Sequence, residues 1–257
     1  RRGSDLRYDL TINFNEAVFG AEKPVEVPRM EICDACRGTG AKKGTNLKTC
    51  SACGGRGNVI YSQGFFSVSK TCGRCNGEGK IIEVACEICR GHGRVRDIKR
   101  IKVKVPAGVD DGSTLRVGGE GEAGERGGRN GDLYIMLHVE KHPIFEREGN
   151  HIICDVPISF AEAALGTELE IPSLEGTMKM RIPPGTPSGK IFKFRNKGVV
   201  DLRHAERGDQ LVRVVIEVPT KLSNRQKELL EEFANVSGEE SHPIKESFFK
   251  KMKNLFK

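Results

Sequence analysis

Apolar and polar residues alternate along several stretches of the chain, with the period of two that is typical of half-buried β-strands. The alternation is clearest around Val25 and Val27 and over residues 101–105, 152–156 and 211–218. Turn sequences rich in glycine and proline, among them PAGVDDG and PPGTPSG, separate these stretches. The pattern predicts a mostly β protein in which one face of each strand packs on a core.

The strand pattern occurs twice in the chain. INFNEAVFG from Ile12 matches ISFAEAALG from Ile158, and VKVPAGVDDGSTLRVGGEG matches MRIPPGTPSGKIFKFRNKG. GDLYIMLHVE from Gly131 then matches GDQLVRVVIE from Gly208, in the same alignment and without a gap. Such self-similarity indicates one structural unit built twice. We therefore expect two tandem duplicated β-sandwich-like domains, with single helical turns at NEAVFG and AEAALG.

The period changes near the end of the chain. Residues 222–236 carry leucine and phenylalanine at helical spacing and predict an amphipathic helix. Ser223 or Asn224 is the predicted N-cap of this helix. The later segment IKESFFKKMKNLFK also places its apolar residues on one helical face. Because a short isolated helix is marginal in water, we expect this segment to pack against a second copy of the chain. The predicted dimer contacts are Phe248, Phe249, Met252, Leu255 and Phe256.

Eight of the nine cysteines lie in four copies of the pattern Cys-x-x-Cys-x-Gly-x-Gly. Each copy supplies two thiolates from one tight turn, and a tetrahedral zinc site needs four ligands. The four copies therefore predict two structural zinc ions per chain, each closed by four cysteines. Disulfide bonds are the alternative, but Cys-x-x-Cys bridges are more often redox-active than structural.

The cysteine pairs lie inside an insertion in the first β repeat. Pro172 and Met180 are close in the second repeat, whereas their counterparts Pro28 and Val103 are far apart, and the extra length contains all four pairs. The strands before and after an insertion must be neighbours, so the first and fourth pairs should meet at its base and the middle two farther out. The predicted ligands are Cys33, Cys36, Cys86 and Cys89 for one zinc, and Cys50, Cys53, Cys72 and Cys75 for the other.

Composition narrows the classes of function. The chain of 257 residues has a net charge of +7, with acidic and basic residues interleaved, which argues against a nucleic-acid interface. No apolar run approaches the ~20 residues of a membrane span, so no membrane partner is expected. The sequence shows no nucleophile–base pair, phosphate loop or paired carboxylates, and we do not expect an enzyme. Cys154 lies in a predicted strand and should be an inert core residue.

Four such cysteine motifs, inserted into the first of two repeated β domains, resemble the bacterial or organellar DnaJ-type J-domain chaperones. The stretches QGFFSVSKTC, VPAGVDDG, GEGEAG and HPIFEREGN resemble that family as well, and the likeness covers essentially the whole chain. The family's His-Pro-Asp tripeptide and its Gly/Phe-rich linker are not found here. We therefore expect the chain to be a fragment without the N-terminal J-domain.

The resemblance implies a co-chaperone that binds unfolded polypeptides, prevents their aggregation and hands them to a DnaK-type ATPase chaperone, alongside its nucleotide exchange factor. It implies a stress-response role in the bacterial cytosol or in an organelle stroma or matrix. It also places a client groove on Leu6, Val25, Val27, Ile101 and Phe145, although core burial is the other reading of each residue. The implied domains are client-binding β domain I over 1–142, an inserted zinc module over 30–97, β domain II over 143–220, and a helix with a dimerisation tail over 221–257.

Two other functions remain open from the sequence. Zinc knuckles can bind RNA, and lysine and arginine occur throughout the insert, so a zinc-dependent nucleic-acid-binding protein is one alternative. The other is a thiol–disulfide exchange protein, because Cys-x-x-Cys can exchange disulfides when its thiolate pKa is low. Zinc would suppress that exchange, and no thioredoxin-like βαβ unit surrounds the motifs.

Overall fold

The computed structural model describes residues 1–63, 66–202, 204, 206–237, 247–248 and 251–252. The described residues form fifteen β-strands, three α-helices and a short 3-10 turn at Glu125–Gly127. The helices are α1 Phe14–Phe19, α2 Phe160–Leu165 and α3 Asn224–Val236. The strands are β1 Leu6–Ile12, β2 Ala21–Ile32, β3 Lys48–Thr49, β4 Asn58–Gln63, β5 Phe66–Thr71, β6 Lys80–Ile81, β7 Arg94–Val105, β8 Thr114–Val117, β9 Leu133–Val139, β10 Phe145–Glu148, β11 His151–Ser159, β12 Thr167–Ser173, β13 Gly176–Ile182, β14 Ile191–Phe194 and β15 Gln210–Glu217.

The chain divides into two compact units. Unit 1 comprises residues 1–153 and 194–210, and unit 2 comprises residues 154–193 and 211–257. The predicted fold class is confirmed, because the chain is mostly β, with two cysteine clusters and a C-terminal helix. The domain limits given from the sequence stay a prediction. No helix in the described ranges is long and apolar enough to cross a membrane.

Unit 1 is built on a three-stranded sheet in the order β1-β9-β8. Strand β1 runs parallel to β9, from Leu6 opposite Leu133 to Ile12 opposite Val139, and β8 is antiparallel to β9. Alternate residues of β9 are buried and alternate residues of β1 and β8 are at least half-buried, as the period-two pattern predicts. The core of unit 1 consists of Ile12, Ala17, Val25, Val27, Ile101, Val103, Val105, Val109, Leu133, Ile135 and Leu137.

A long antiparallel ribbon, β2 with β7, carries the cysteine-rich insert. The pairing runs from Ala21 opposite Val105 to Ile32 opposite Arg94, so the insert begins and ends at adjacent positions. Two short antiparallel pairs lie within it, β3 with β6 and β4 with β5. We call the part of the chain between the ribbon's ends, residues 33–93, the zinc module.

Unit 2 holds the shorter counterpart of this ribbon. Strand β12 pairs with β13 from Thr167 opposite Ile182 to Ser173 opposite Gly176, where a tight turn closes the hairpin. Both ribbons begin at the residue after a helix-ending glycine, so the counterpart of Pro172 is Glu26, and the predicted match of Pro172 with Pro28 is two residues out. Strands β11, β15 and β14 are hydrogen-bonded in that order. Helix α3 follows β15, and Ser223 caps it in a capping box with Gln226.

The duplication is visible in the first helical turn of each repeat. Helix α1 begins at a capping box formed by Asn13 and Glu16, and α2 begins at one formed by Ser159 and Glu162. Each helix is six residues long and ends at a glycine with positive φ. The predicted turns at NEAVFG and AEAALG therefore form helices with the same start and stop.

The loops that close the two repeats share their hydrogen bonds. Gly121 N–H donates to Gly131 O over 2.9 Å, and Gly198 N–H donates to Gly208 O over 2.8 Å. The strands that begin each repeat are held alike: Leu6 N–H donates to Asp132 O at 2.8 Å, and Ile152 N–H to Asp209 O at 3.0 Å. The repeat in sequence thus corresponds to a repeat in backbone conformation.

Close packing of backbone requires glycine in this loop of unit 1. A Cβ atom on Gly131 would overlap the carbonyl of Ser4, whereas one on Gly118 would lie 3.9 Å from Asp132 Oδ1, an ordinary contact. We expect Gly131→Ala to lower the free energy of unfolding by about 1–3 kcal/mol, because the backbone must move to admit the methyl group. Urea unfolding followed by circular dichroism measures the change.

Gly118→Ala is the matched control, since it adds the same methyl group in the same loop without an overlap. Its effect should stay within about 0.5 kcal/mol, as for most surface substitutions. Equal stability of the two variants would contradict the close approach of Gly131 to Ser4.

Candidate metal centres

The first and fourth Cys-x-x-Cys pairs come together at the end of the ribbon. Cys33 Sγ lies 3.9 Å from Cys86 Sγ, and Cys36 Sγ lies 3.6 Å from Cys89 Sγ. All four sulfur atoms lie within 4.8 Å of one another, and all four residues are buried. We call this group site 1.

The second and third pairs form a similar group farther along the zinc module. Cys50 Sγ lies 3.9 Å from Cys72 Sγ, and Cys53 Sγ lies 3.7 Å from Cys75 Sγ. These four sulfur atoms also lie within 4.8 Å of one another and are buried. We call this group site 2.

Both groups have the dimensions of a zinc centre. Zinc holds each thiolate sulfur at about 2.3 Å, and the edge of a tetrahedron is longer than this bond by a factor of about 1.6. The close sulfur pairs, at 3.6 to 3.9 Å, match that edge. The chain therefore has two four-cysteine sites suitable for two zinc ions. Four thiolates fill the coordination shell and leave no open position for water or substrate, so the chemistry that zinc supplies here is structural.

The last glycine of each motif holds a sulfur atom directly. Its backbone N–H donates to the second cysteine of the same motif, and its φ is positive, a conformation that glycine adopts without strain. A hydrogen bond to sulfur stabilises the thiolate that binds zinc. The four bonds are Gly40 to Cys36 at 3.3 Å, Gly57 to Cys53 at 3.3 Å, Gly79 to Cys75 at 3.2 Å and Gly93 to Cys89 at 3.2 Å.

The glycines also pack the two motifs of each site against one another. A Cβ atom on Gly57 would overlap the carbonyl oxygen of Gly77, and one on Gly79 would overlap that of Gly55. Site 1 repeats the arrangement, with Gly40 against Gly91 and Gly93 against Gly38. The sequence reasoning assigned these glycines to turns and missed their role as the contact between partner motifs. Their fixed spacing after each cysteine pair was the signal.

One thiol in each site is prepared for metal binding. Burial raises the pKa of Cys36, but the Gly40 N–H and the neighbouring thiols of Cys89 and Cys33 outweigh it and lower this pKa to about 7. In site 2, burial of Cys75 is outweighed in the same way by hydrogen bonds led by the Gly79 N–H, and the pKa of Cys75 falls to about 7. A thiolate is thus accessible in each site near neutral pH, and the thiolate is the form that binds zinc.

The residues predicted to form a client groove lie in the interior of unit 1. Val25 and Ile101 face each other across the ribbon, and both are buried with Val27 in the core, against which Leu6 is half-buried. Phe145 is also buried and stacks on His142, with ring centroids 4.9 Å apart. A client-binding role for these five residues stays a prediction.

The predicted dimer contacts are only partly described. Phe248 and Met252 are exposed, while Phe249, Leu255 and Phe256 lie outside the described residues.

Unit 2 also contains an apolar groove that the sequence reasoning missed, with a volume of about 960 Å³. It lies between α3 and residues 157–162 and 216–222, and Phe160 meets Phe233 edge to face across it at 5.8 Å. The helical period showed that α3 has an apolar face but did not show what that face meets.

The nested grouping of the sites makes a direct prediction. Replacing Cys33 and Cys36 by serine should lower the zinc content from two ions per chain to one, because site 2 shares no ligand with site 1. Metal analysis of the purified variant measures the content, and the absorption of Co²⁺-substituted protein reports whether four sulfurs hold the remaining ion. Replacing Cys50 and Cys53 is the reciprocal variant. Loss of both ions from either variant would contradict two independent sites.

Comparison with known proteins agrees with this architecture. The family model described as the DnaJ C terminal domain matches residues 6–219, and the one described as the Chaperone protein DnaJ C-terminal region matches residues 225–257. The Chaperone protein DnaJ of Nitrosomonas europaea is 48% identical over 258 residues, which cover 99% of this chain and 70% of that protein. The protein of the same name from Syntrophotalea carbinolica is 52% identical over 256 residues, covering 100% of this chain and 69% of that protein. These matches cover both repeated β units and the cysteine-rich module, with its two zinc sites, that is inserted into the first of them. The chain is therefore a member of the DnaJ family of chaperones.

Proposed function

We propose that this chain binds unfolded polypeptides at the ribbon of unit 1, prevents their aggregation and passes them to a DnaK-type ATPase chaperone. Membership of the DnaJ chaperone family supports the general role. The observation that carries the proposed binding site is a backbone edge on β2 that no second strand covers within the described residues. An unfolded chain can add to such an edge as a further strand.

Hydrogen bonds at the end of the ribbon show which backbone groups face that edge. Cys33 N–H donates to Gly93 O at 3.0 Å, so the odd-numbered positions of β2 face β7. Met30, at an even-numbered position, instead donates its N–H to Glu122 Oε2 at 2.7 Å and accepts the Ala123 N–H at 2.8 Å. The backbone groups of even-numbered residues therefore point away from β7.

Between Glu22 and Pro28 this outer edge is rich in acceptors. Pro24 and Pro28 have no N–H to donate, so they contribute only carbonyl oxygens, while Glu22 and Glu26 contribute both groups. In the part of the chain that the structure describes, β7 is the sheet partner of β2. A client strand laid on the outer edge would donate its N–H groups to these carbonyls.

Side chains of the client must then reach the apolar face of the ribbon. Val25 and Val27 point to the core from the strand that the client would extend, and alternate client residues would point to the same side. Burying one aliphatic side chain gains about 1.5–3 kcal/mol. Ordering the extended client opposes much of that gain, so binding should be weak and reversible. Reversible binding suits a protein that passes its client on.

The proposal extends to partners. The client would pass to a DnaK-type chaperone that works with a nucleotide exchange factor, and the zinc module is the part proposed to contact that chaperone. The compartment, bacterial cytosol or organelle, stays a prediction.

We also propose that the chain works as a homodimer. Helix α3 carries apolar side chains that unit 2 covers only in part: Leu229, Leu230, Phe233 and Val236 are exposed by 48%, 41%, 47% and 80%. A monomer that leaves this face and the adjoining groove in water loses the free energy of burying them. Two client sites in one dimer would raise avidity through effective concentration.

Client binding can be tested with a matched pair of isosteric substitutions. Val27 and Val103 are both buried on the core face of the ribbon, 3% and 2% exposed, but only Val27 belongs to the proposed client site. We expect Val27→Thr to weaken suppression of aggregation, because its hydroxyl makes the site less apolar. Light scattering from a denatured model client measures the effect.

Val103→Thr introduces the same hydroxyl at the same depth and should leave suppression at the level of the parent protein, once unfolding of each variant has been measured. Equal loss of suppression in the two variants would place the effect in the stability of unit 1 and reject the site.

The proposed dimer predicts a change of mass. Phe233→Glu puts a charge on the apolar face of α3 and should convert dimers to monomers in sedimentation experiments, because a buried unpaired carboxylate is costly. Ala234→Glu, one residue along the same exposed helix, lies outside the groove lining and should remain dimeric. A parent protein that sediments as a monomer would contradict the proposed dimer.

A further inference from the structure

The ribbon that carries the zinc module extends well beyond the core that supports it. Each of its strands has 12 residues, a length of about 40 Å at the usual rise. The half near Val25 and Val103 packs on the core of unit 1. Past Val27 and its partner Lys99, residues on that face are no longer part of the core. Two strands alone form a weak, strongly twisting support.

A buried arginine holds the ribbon at this point. The Arg29 side chain is only 4% exposed. Its Nε donates to Glu31 Oε1 at 2.8 Å on the same strand, and its Nη1 donates to Glu120 Oε2 at 2.7 Å. Glu120 belongs to the glycine-rich loop of residues 118–131, which joins β8 to β9. Since a buried charge needs its partners, Arg29 ties the ribbon to this loop.

The next residues are held by the same loop. Met30 exchanges two hydrogen bonds with the loop, donating its N–H to the Glu122 carboxylate and accepting the Ala123 N–H. On the other strand, Arg94 Nη1 donates to Ala123 O at 2.8 Å and Arg94 Nη2 to Glu125 Oε1 at 2.9 Å. Both strands are therefore hydrogen-bonded to the loop, β2 just before the chain enters site 1 at Cys33 and β7 just after it leaves at Gly93.

The loop itself is anchored to the body of unit 1. Glu122 N–H donates to Ser4 O at 3.0 Å, and Gly121 N–H donates to Gly131 O at 2.9 Å. Asp132, at the end of the loop, accepts the Gly119 N–H at 2.8 Å and pairs with Arg116 at 2.7 Å. The loop is thus a fixed support for the carboxylates.

The second repeat provides an internal comparison. In the alignment that pairs Gly121 with Gly198 and Gly131 with Gly208, the acids Glu120, Glu122 and Glu125 correspond to Lys197, Val199 and Leu202. The backbone hydrogen bonds agree, because Val199 N–H donates to Asn150 O at 2.8 Å just as Glu122 N–H donates to Ser4 O. The second ribbon ends in a tight turn after Ser173 and carries no insert. The three acidic residues therefore occur in the first repeat, which is the one that carries the zinc module.

We propose that the glycine-rich loop is a clasp that sets the orientation of the zinc module relative to the body of unit 1. The clasp comprises Glu120, Glu122, Ala123 and Glu125 on the loop and Arg29, Met30 and Arg94 on the ribbon. The module then stands at one angle to the proposed client edge of β2. The orientation of the module does not depend on whether that edge binds clients. The clasp and the client site can therefore be tested independently, and either can be wrong without the other.

The test replaces the three acids by the residues of the second repeat, which suit the same backbone: Glu120→Lys, Glu122→Val and Glu125→Leu. Spin labels introduced as non-natural amino acids at the exposed positions Lys43, in the module, and Thr11, on β1, report the distance between module and body by pulsed dipolar spectroscopy. The zinc-loaded protein, mixed with an excess of unlabelled protein so that each proposed dimer carries one labelled chain, should give a narrow distribution. The variant should widen it about twofold or more, since two strands then support the module alone. Its zinc content should stay at two ions per chain.

The matched control makes the same three replacements at exposed acids of unit 2 that lie outside the apolar groove, Glu168→Lys, Glu170→Val and Glu175→Leu, and should leave the distribution narrow. A second variant, Arg29→Met with Glu120→Leu, removes both charges of the pair that joins the buried Arg29 to the loop, and it should also widen the distribution. An unchanged width in both clasp variants would overturn the proposal. So would loss of zinc from site 1, which would mean that the loop supports the metal site rather than its orientation.

Discussion

The antiparallel register of β2 with β7 is the constraint on which the rest of unit 1 depends. With Val25 opposite Ile101, one face of the ribbon completes the core, and with Ile32 opposite Arg94, the first and fourth cysteine motifs face each other. A slip of one residue would turn the apolar face outward and would also misalign Cys33 with Gly93. Hydrophobic burial and metal coordination therefore select the same register, and each stabilises the other.

Much of this arrangement could be predicted because it follows from local chemistry and chain continuity. Alternation revealed the strands, the repeat revealed the second unit, and the pattern of cysteine and glycine revealed the metal sites. The nesting of the sites required only that an insertion leave and rejoin one hairpin. The structure brings the first motif to the fourth and the second to the third.

The rest depends on partners distant in sequence, which a local pattern does not contain. Arg29 reads as a polar residue on a strand, yet it is buried because Glu120, 91 positions away, pairs with it. Alternation showed that Val25 and Val27 face something apolar, but the same pattern serves a core and a client groove. Likewise, the period of α3 showed an apolar face without showing the groove beside Phe160. Tertiary packing decides each of these cases.

The two hairpins differ in a way that bears on evolution. Val27 and Lys99 occupy the positions that Ser173 and Gly176 hold in unit 2, where two residues suffice to turn the chain. A gene could therefore gain or lose the whole metal-binding segment at that turn, leaving both cores intact. The change would then be confined to one copy, whose acidic loop side chains lie beside the added segment.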